Sequence, residues 1–307
     1  MKEYNMNDAD LKNLVSDTGR ILLDKELVAR TWGNISARKD EKSFFISPSG
    51  LGYENMTGED VPLYNMATGE SEGNRKPSSE MKIHVAAYKL YPDVNFVIHT
   101  HQDYATAVGL CKTPDLTVSE EEKEILGKIN VAAYGLPGTD KLANNVEAAL
   151  KDSKVVLMAH HGVLILGKDR DDAMKKAELL EEVCKREVEK RIGKEDSIIA
   201  LSKGKGFKTQ LDDMAQMIGS SIKVLPAGSA EAEKALNKQG AVLIEGLGLK
   251  VRSDDMGDRE ALKLLVKKAA IAKRYSEVMG IDGSLSMLDC MRMRAVYKYK
   301  YSKKKDC

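Results

Sequence analysis

Cysteine and the aromatic residues are scarce in this chain of 307 residues. It contains four cysteines, one tryptophan and four phenylalanines. The cysteines, at positions 111, 184, 290 and 307, are scattered and form no CxxC pair. This spacing argues against a disulfide framework and against a cysteine metal site, so a reducing cytoplasm is the expected compartment.

The chain also lacks an excess of charge of one sign, because 48 lysines and arginines nearly balance 47 aspartates and glutamates. Without a net field, it is not expected to recruit nucleic acid or an anionic membrane. No apolar run approaches the roughly 20 residues that span a bilayer, and no signal-peptide pattern is visible. We therefore expect a soluble cytoplasmic protein with small partners. The basic tail, residues 292–307, is predicted to be a solvated end rather than an RNA-contacting arm.

Hydrophobic periodicity predicts alternating helices and strands over the first 195 residues. Helices are expected at residues 7–29, 79–90, 103–110, 139–150 and 170–191. Strands are expected within residues 33–63 and at 94–101, 130–134 and 155–166, the last turning at Gly162. The segment LSKGKGFK, residues 201–208, is predicted to be a linker.

Residues 241–273 resemble residues 155–185 at an offset of 86 positions. The match keeps a strand, turn and helix pattern, but Gly246 and Leu247 stand in place of His160 and His161. This pattern favours a partial, degenerate repeat over chance convergence of two buried units. We therefore predict a first domain over residues 1–195 that carries the histidines and a structural second domain over 205–307.

Four of the five histidines lie in two short motifs, HTH and HHG, each at the end of an apolar strand. Alternation along a strand puts His99 and His101 on one side, roughly 6.6 Å apart, which suits either two ligands of one metal or simple hydrogen bonding. His161 at a glycine turn and Glu80 at a helix start favour the metal. Three imidazoles with one carboxylate are typical of a catalytic site with an exchangeable position, for Zn²⁺ or for Co²⁺, Mn²⁺ or Fe²⁺. His84 is predicted to lie on a helix face without a role.

Three further motifs offer small hydroxyls, a side-chain amide and backbone N–H groups: WGNIS (32–36), SPSG (47–50) and PSSE (77–80). The last stands at a predicted helix N-terminus, where an anion is favoured. Each motif alone is typical of an ordinary turn or helix cap. Their order in front of the histidine motifs favours a phosphate site.

With these motifs in this order, residues 8–190 resemble the class II aldolase/adducin family, and within it the sugar-phosphate aldolases. The motifs that carry the resemblance are GNIS, SPSG, SSE, HTH nineteen residues after the glutamate, and HHG. The resemblance implies an α/β fold with a central, mostly antiparallel sheet flanked by helices, to which this chain adds a smaller C-terminal α/β subdomain. It also implies a homo-oligomer, commonly a homotetramer with active sites at subunit interfaces.

The resemblance also implies roles for individual residues. His99, His101 and His161 correspond to the ligands of a divalent metal, and Glu80 corresponds to a catalytic carboxylate that can touch that metal. The residues expected to hold a substrate phosphate are Gly33, Asn34, Ser49, Gly50, Ser78 and Ser79. The implied reaction is metal-dependent cleavage of a small phosphorylated ketose to dihydroxyacetone phosphate and an aldehyde.

One part of the family pattern is missing. The aldolases use a tyrosine from the segment that follows the HTH strand, but residues 112–128 contain none. Glu120, Glu121 or Glu122 could replace it as the acid, although an EEE run is typical of a solvated helix start, and Tyr134 is predicted to belong to the next strand. The alternatives are therefore a pentulose-phosphate 4-epimerase, a dehydratase or decarboxylase, or a non-catalytic module like adducin.

Overall fold

The computed structural model describes residues 6–297. The helices are α1 Asp8–Asp24, α2 Met81–Leu90, α3 Asp103–Val108, α4 Glu120–Leu126, α5 Asp140–Leu150, α6 Arg170–Ile192, α7 Ser197–Ser202, α8 Asp212–Met217, α9 Ala230–Gln239, α10 Met256–Val278 and α11 Met287–Val296, with a 3₁₀ turn at Gly58–Asp60. The strands are β1 Asn34–Arg38, β2 Ser43–Ile46, β3 Leu63–Asn65, β4 Ser71–Glu72, β5 Phe96–Thr100, β6 Ile129–Ala132, β7 Val155–Met158, β8 Gly162–Gly167, β9 Gly206–Lys208, β10 Ser221–Leu225, β11 Ala241–Ile244 and β12 Gly248–Val251. Among these described helices, none combines the length and apolar character needed to cross a bilayer.

The described residues form two compact units. The first comprises residues 6–102, 118–158 and 162–180 and contains an eight-stranded sheet. The second comprises residues 103–117, the turn 159–161 and residues 181–297, and contains a four-stranded sheet.

The large sheet has the strand order β4-β3-β2-β1-β5-β8-β7-β6. Its neighbouring strands are antiparallel except for β6 and β7, which are parallel. The predicted α/β fold with a mostly antiparallel central sheet is therefore confirmed. Strand β5 lies between β1 and β8, and every residue from Phe96 to Thr100 is buried. Burial of both alternating sets of side chains means that both faces of the sheet are covered at this strand.

Helices α2 and α5 pack against one another and cover one face of the large sheet. Ile83 of α2 and Val146 of α5 join Val97 of β5 and Leu164 of β8 in one buried cluster. Burying apolar side chains of this size contributes about 1.5–3 kcal/mol each. This face of the sheet is therefore held firmly at the strand that carries the HTH motif.

Helix α1 begins at Asp8, one residue after the predicted start, and Asn7 forms a capping box with Asp10. It ends at Asp24, five residues before the predicted end, because Glu26 adopts a left-handed conformation with φ of 56°. A left-handed residue cannot continue a right-handed helix. The predicted end at residue 29 is therefore wrong.

The small sheet has the order β12-β11-β10-β9, in which only the pair β10 and β11 is parallel. Residues 201–208 are not a linker, since they include the end of α7 and all of β9. Phe207 is buried while Lys208 is exposed, so a short alternating strand lies within a lysine-rich stretch. The predicted solvated tail begins inside α11, and residues 298–307 lie outside the described residues.

The elements of the predicted repeat have equal spacing in the structure. Strand β11 begins 86 positions after β7, β12 begins 86 positions after β8, and α10 begins 86 positions after α6. Both helices have 23 residues. This agreement in element lengths is what a repeat requires, and common descent of the two segments stays a prediction.

Candidate metal centre

Two histidines at the end of β5 face each other. His99 lies in the strand, and His101 follows the last strand residue, Thr100, on the same side. Their Nε2 atoms are 3.1 Å apart and their ring centroids are 4.8 Å apart. Both side chains are buried. Two imidazole nitrogens at this separation are placed as two ligands of one ion would be.

A third histidine, His161, lies in the three-residue turn between β7 and β8. Met158 and Gly162 pair across this turn, and β8 pairs directly with β5, so the turn lies at the end of β5. One ligand atom from each of His99, His101 and His161 lies within 4.8 Å of the others, and all three residues are buried. A buried set of three imidazole nitrogens fits a divalent transition-metal ion such as zinc.

Hydrogen bonds at the Nδ1 atoms determine which nitrogen of two of these rings is available as a ligand. The Nδ1–H of His99 donates to the carbonyl oxygen of Val163 at 2.9 Å, and the Nδ1 of His161 bonds a carboxylate oxygen of Asp212. Carbonyl and carboxylate oxygens only accept, so the neutral rings carry their proton on Nδ1. Both rings therefore present the lone pair of Nε2, which is the form that binds a metal.

Glu80 lies beside this group, at the N-cap position of α2. Its side chain is buried, and its Oε2 atom is 3.4 Å from the Nε2 of His99. Asn34 donates from Nδ2 to the same oxygen at 3.1 Å, and the backbone N–H of Glu80 donates to the hydroxyl of Ser78 at 3.3 Å. These contacts hold the carboxylate in one orientation next to the histidines.

His84, for which the sequence suggested no role, is fully buried and connects to Glu80 through Asn34. The Nε2 of His84 bonds the Oδ1 of Asn34, and the Nδ1 bonds the hydroxyl of Ser36 at 2.7 Å. The hydroxyl of Tyr88 continues this chain to Ser36 at 2.8 Å. Burial lowers the pKa of His84 to about 3, so its ring is neutral near neutral pH. The signal that sequence reasoning missed is the spacing of Glu80, His84 and Tyr88, which puts all three on one face of a helix.

The predicted phosphate residues lie on three segments that hydrogen bonds join. The backbone N–H of Ser47 donates to Ile35 at 2.9 Å, and that of Ser78 donates to Ser47 at 3.1 Å. Pro48 and Pro77 form an isolated antiparallel bridge between two of the segments. The predicted residues lie within three positions of these contacts along the chain: Gly33, Asn34, Ser49, Gly50, Ser78 and Ser79.

The first of these segments touches the histidine group directly. Gly33 has φ of 80°, and a Cβ atom placed on it would lie 2.5 Å from the carbonyl oxygen of His99. Only glycine meets both requirements at this position. Trp32, the single tryptophan of the chain, immediately precedes it. The side-chain amide of Asn34 hydrogen-bonds both His84 and Glu80, so this side chain lies next to the Glu80 carboxylate.

Comparison with known proteins shows which family has this arrangement of residues. Residues 13–188, more than half of the chain, match the family described as Class II Aldolase and Adducin N-terminal domain. The chain belongs to this family. Its membership makes it an aldolase-type lyase, and the histidine group lies within the matched residues.

Individual relatives are aldolases and a decarboxylase. The chain is 34% identical over 165 residues to the L-fuculose phosphate aldolase of Methanococcus maripaludis, covering 54% of this chain and 89% of the relative. It is 30% identical over 185 residues to the 3-oxo-tetronate 4-phosphate decarboxylase of Haemophilus influenzae, covering 59% and 88%. Among solved structures, an L-fuculose 1-phosphate aldolase matches with a TM-score of 0.57 and 30% identity, covering 62% of this chain and 91% of that one.

The glutamates suggested as replacements for the family tyrosine, Glu120, Glu121 and Glu122, form the first turn of α4. The EEE run is the start of α4, where Ser119 and Glu122 form a capping box and Glu121 accepts from the hydroxyl of Ser119. These contacts are those of a helix start, as the sequence pattern favoured. Tyr134 lies beyond β6, which ends at Ala132, so its predicted place in that strand is wrong.

Proposed function

We propose that this chain is a metal-dependent aldehyde-lyase that cleaves a small phosphorylated ketose to dihydroxyacetone phosphate and an aldehyde. The observation that carries the proposal is the buried group of His99, His101 and His161 beside the carboxylate of Glu80. The relatives named L-fuculose phosphate aldolase support a sugar phosphate as the substrate.

The three histidines are the proposed ligands of one divalent cation, for which we propose Zn²⁺, with Co²⁺, Mn²⁺ and Fe²⁺ as alternatives. When bound, this ion supplies Lewis-acid stabilisation of the negative charge that develops on the carbonyl and hydroxyl oxygens of the substrate. The Nδ1 contacts of His99 and His161 support this assignment, because they leave Nε2 as the binding atom.

Glu80 is the proposed proton carrier. In a retro-aldol cleavage the hydroxyl that becomes the aldehyde loses its proton, and the electron pair of the broken carbon–carbon bond stays on the fragment that keeps the carbonyl group. A proton must then reach that carbon. Glu80 is buried and oriented by Asn34, which suits a carboxyl group that transfers a proton away from bulk water. The phosphate of the substrate is proposed to bind at Gly33, Asn34, Ser49, Gly50, Ser78 and Ser79.

We also propose that the chain has two domains with different roles. Residues 1–195 form the catalytic domain, and residues 205–307 form a structural domain derived from a partial repeat. The whole chain is proposed to assemble as a homo-oligomer, with a homotetramer favoured by its family.

A decarboxylase is the second candidate, for two reasons. One relative of similar identity is named 3-oxo-tetronate 4-phosphate decarboxylase. Loss of CO₂ also requires no group that takes the proton from the hydroxyl of a departing aldehyde, which agrees with the absence of tyrosine from residues 112–128. The metal and Glu80 would have the same tasks in this reaction.

Product analysis separates the candidates. The metal-loaded protein is incubated with fuculose 1-phosphate, rhamnulose 1-phosphate, ribulose 5-phosphate and 3-oxo-tetronate 4-phosphate, and dihydroxyacetone phosphate and CO₂ are measured. We expect dihydroxyacetone phosphate from one of the first two. Release of CO₂ alone would support the second candidate, and metal-loaded protein inert on all four would contradict both.

Two substitutions test the assigned roles. We expect His99→Ala to lose most of the bound metal, because the site loses one of its three nitrogen ligands. We expect Glu80→Gln to keep the metal and to lose roughly 10²–10⁴-fold in turnover, because the amide cannot carry a proton. Elemental analysis and steady-state kinetics measure the two effects, with Glu124→Gln on the exposed face of α4 as the matched control. Normal turnover of Glu80→Gln would show that the proton carrier is another residue.

A further inference from the structure

Asp212 contacts the histidine group although it lies outside the family-matched residues 13–188. It is the first residue of α8, and its side chain is completely buried. One of its carboxylate oxygens bonds the Nδ1 of His161. The two residues are 51 positions apart, so the contact depends on the fold of the segment after residue 181.

Backbone contacts hold this carboxylate against the turn that carries His161. The backbone N–H of Asp212 donates to the carbonyl oxygen of His160 at 3.0 Å. The Nδ1 of His160 in turn donates to the carbonyl oxygen of Gln210 at 2.8 Å. The side-chain amide of Gln210 donates to Ser276 of α10 at 2.8 Å. Residues 210–212 are therefore fixed on both sides, against the histidine turn and against a long helix.

Asp212 differs from its neighbour in the kind of group it contacts. Asp213 is also fully buried, but its partner is the ammonium group of Lys268, which offsets its charge. The partner of Asp212 is an imidazole, which is neutral when it serves as a ligand. A buried carboxylate is costly unless a positive charge lies near it, and a cation on the opposite nitrogen of His161 provides one.

We propose that Asp212 is the positioning residue of the metal ligand His161. This inference rests on the proposed function, because it takes the three histidines as the metal site. The carboxylate holds the proton on Nδ1, presents Nε2 as the ligand atom and prevents rotation of the ring. A carboxylate behind a ligating histidine also increases the basicity of that ligand. The segment after residue 188 thus contributes to the metal centre by positioning one of its ligands.

Metal affinity of the full-length chain tests the proposal. The metal is stripped, and Zn²⁺ is titrated against a competing chelator into wild type, Asp212→Ala and Asp212→Asn, with the exposed Asp254→Asn as the matched control. We expect Asp212→Ala to bind one Zn²⁺ per chain about 10–100-fold more weakly, Asp212→Asn to show a smaller loss, and Asp254→Asn to match wild type. Wild-type affinity in both Asp212 variants would overturn the proposal.

A second measurement does not depend on metal binding. Long-range ¹H–¹⁵N correlation spectra of the metal-free chain report the tautomer of each histidine. We expect His161 to carry its proton on Nδ1 in wild type and to shift toward the Nε2-protonated form in Asp212→Ala, which removes the acceptor oxygen. The amide oxygen of Asp212→Asn can still accept, so we expect a smaller shift in that variant. If wild type binds no Zn²⁺, the proposed function fails while the tautomer still decides the role of Asp212. An unchanged tautomer in Asp212→Ala would show that Asp212 does not set the proton position of His161, and the proposal would fail.

Discussion

The amide group of Asn34 joins a buried histidine to a buried carboxylate. Its Oδ1 atom faces the Nε2 of His84 and its Nδ2 atom faces Glu80. His84 therefore fixes which end of the amide points at the carboxylate, because its Nε2–H can only be matched by the oxygen end. The amide N–H directed at Glu80 therefore holds that carboxylate beside the histidine group.

This role for His84 has a consequence for stability at acidic pH. Burial lowers its pKa from 6.5 to about 3. Between these values the unfolded chain binds a proton that the folded chain excludes, so the free energy of unfolding decreases as the pH falls through this window. We expect wild type to lose roughly 2 kcal/mol more than His84→Gln between about pH 7 and about pH 5.

Urea unfolding of the two proteins, with a chelator present, measures this difference. His84→Gln retains a side-chain donor for Asn34, so both proteins should remain folded at neutral pH. Identical pH dependence in the two proteins would show that the proton on His84 is not linked to folding.

The ligand candidates could be found from the sequence because their signal is local. The alternation of a strand determines the relation of His99 to His101, and a glycine turn marks His161. His84 carries no such motif, since a single histidine in a helix is compatible with either burial or exposure. Asp212 could not be found, because its partner is 51 positions away and joins it only in the folded chain.

At the level of elements, periodicity located most of the helices and strands but not their ends. Helix α5 begins at Asp140, one residue after the predicted start, with Thr139 as its N-cap, whereas α2 begins at Met81, two residues after the predicted start. The residues before Met81 are not helical. There the backbone N–H of Ser78 donates to the carbonyl oxygen of Ser47, and the backbone N–H of Glu80 donates to the hydroxyl of Ser78. Tertiary hydrogen bonds of this kind decide a helix end, and a single sequence does not reveal them.

The close approach of Gly33, just before β1, to His99 in β5 can be tested by substitution. We expect Gly33→Ala to destabilise the fold and to weaken metal binding, because the added Cβ meets the carbonyl oxygen of His99. The matched control is Gly127→Ala, since Gly127 also has positive φ but has nothing within 4 Å of an added Cβ. The control should lose about 1–3 kcal/mol from backbone strain alone, because its φ of 64° and ψ of −150° suit only glycine. Gly33→Ala should lose more.

Urea unfolding and Zn²⁺ titration measure both effects. Equal losses in the two variants would mean that the backbone of β5 moves freely away from residue 33. The close approach would then have no part in holding His99.

For the whole molecule, the residues after the family-matched segment 13–188 pack with a helix that directly follows the HTH motif. Residues 205–307 contain no histidine, and that absence predicted a purely structural role. Within the second unit, however, α3 packs against α10, and Ala105, Ala107 and Val108 of α3 are buried. The second unit therefore combines residues that immediately follow the HTH motif with residues from the extension.

Truncation tests this dependence. We expect a chain that ends at residue 195 to unfold at a markedly lower temperature or to aggregate, because the apolar side of α3 loses α10. Thermal unfolding and size-exclusion chromatography measure the outcome. A monodisperse truncated chain with the thermal stability of wild type would contradict the expectation and support independent folding of residues 1–195.

The position of Trp32 has a practical consequence. This residue is the only indole in the chain, and it is joined by one peptide bond to the glycine that rests on the His99 carbonyl. Intrinsic fluorescence excited at the indole band therefore arises from a single fluorophore, next to the histidine cluster. We therefore expect metal binding at the histidine cluster to change this emission in the native protein, without any attached dye.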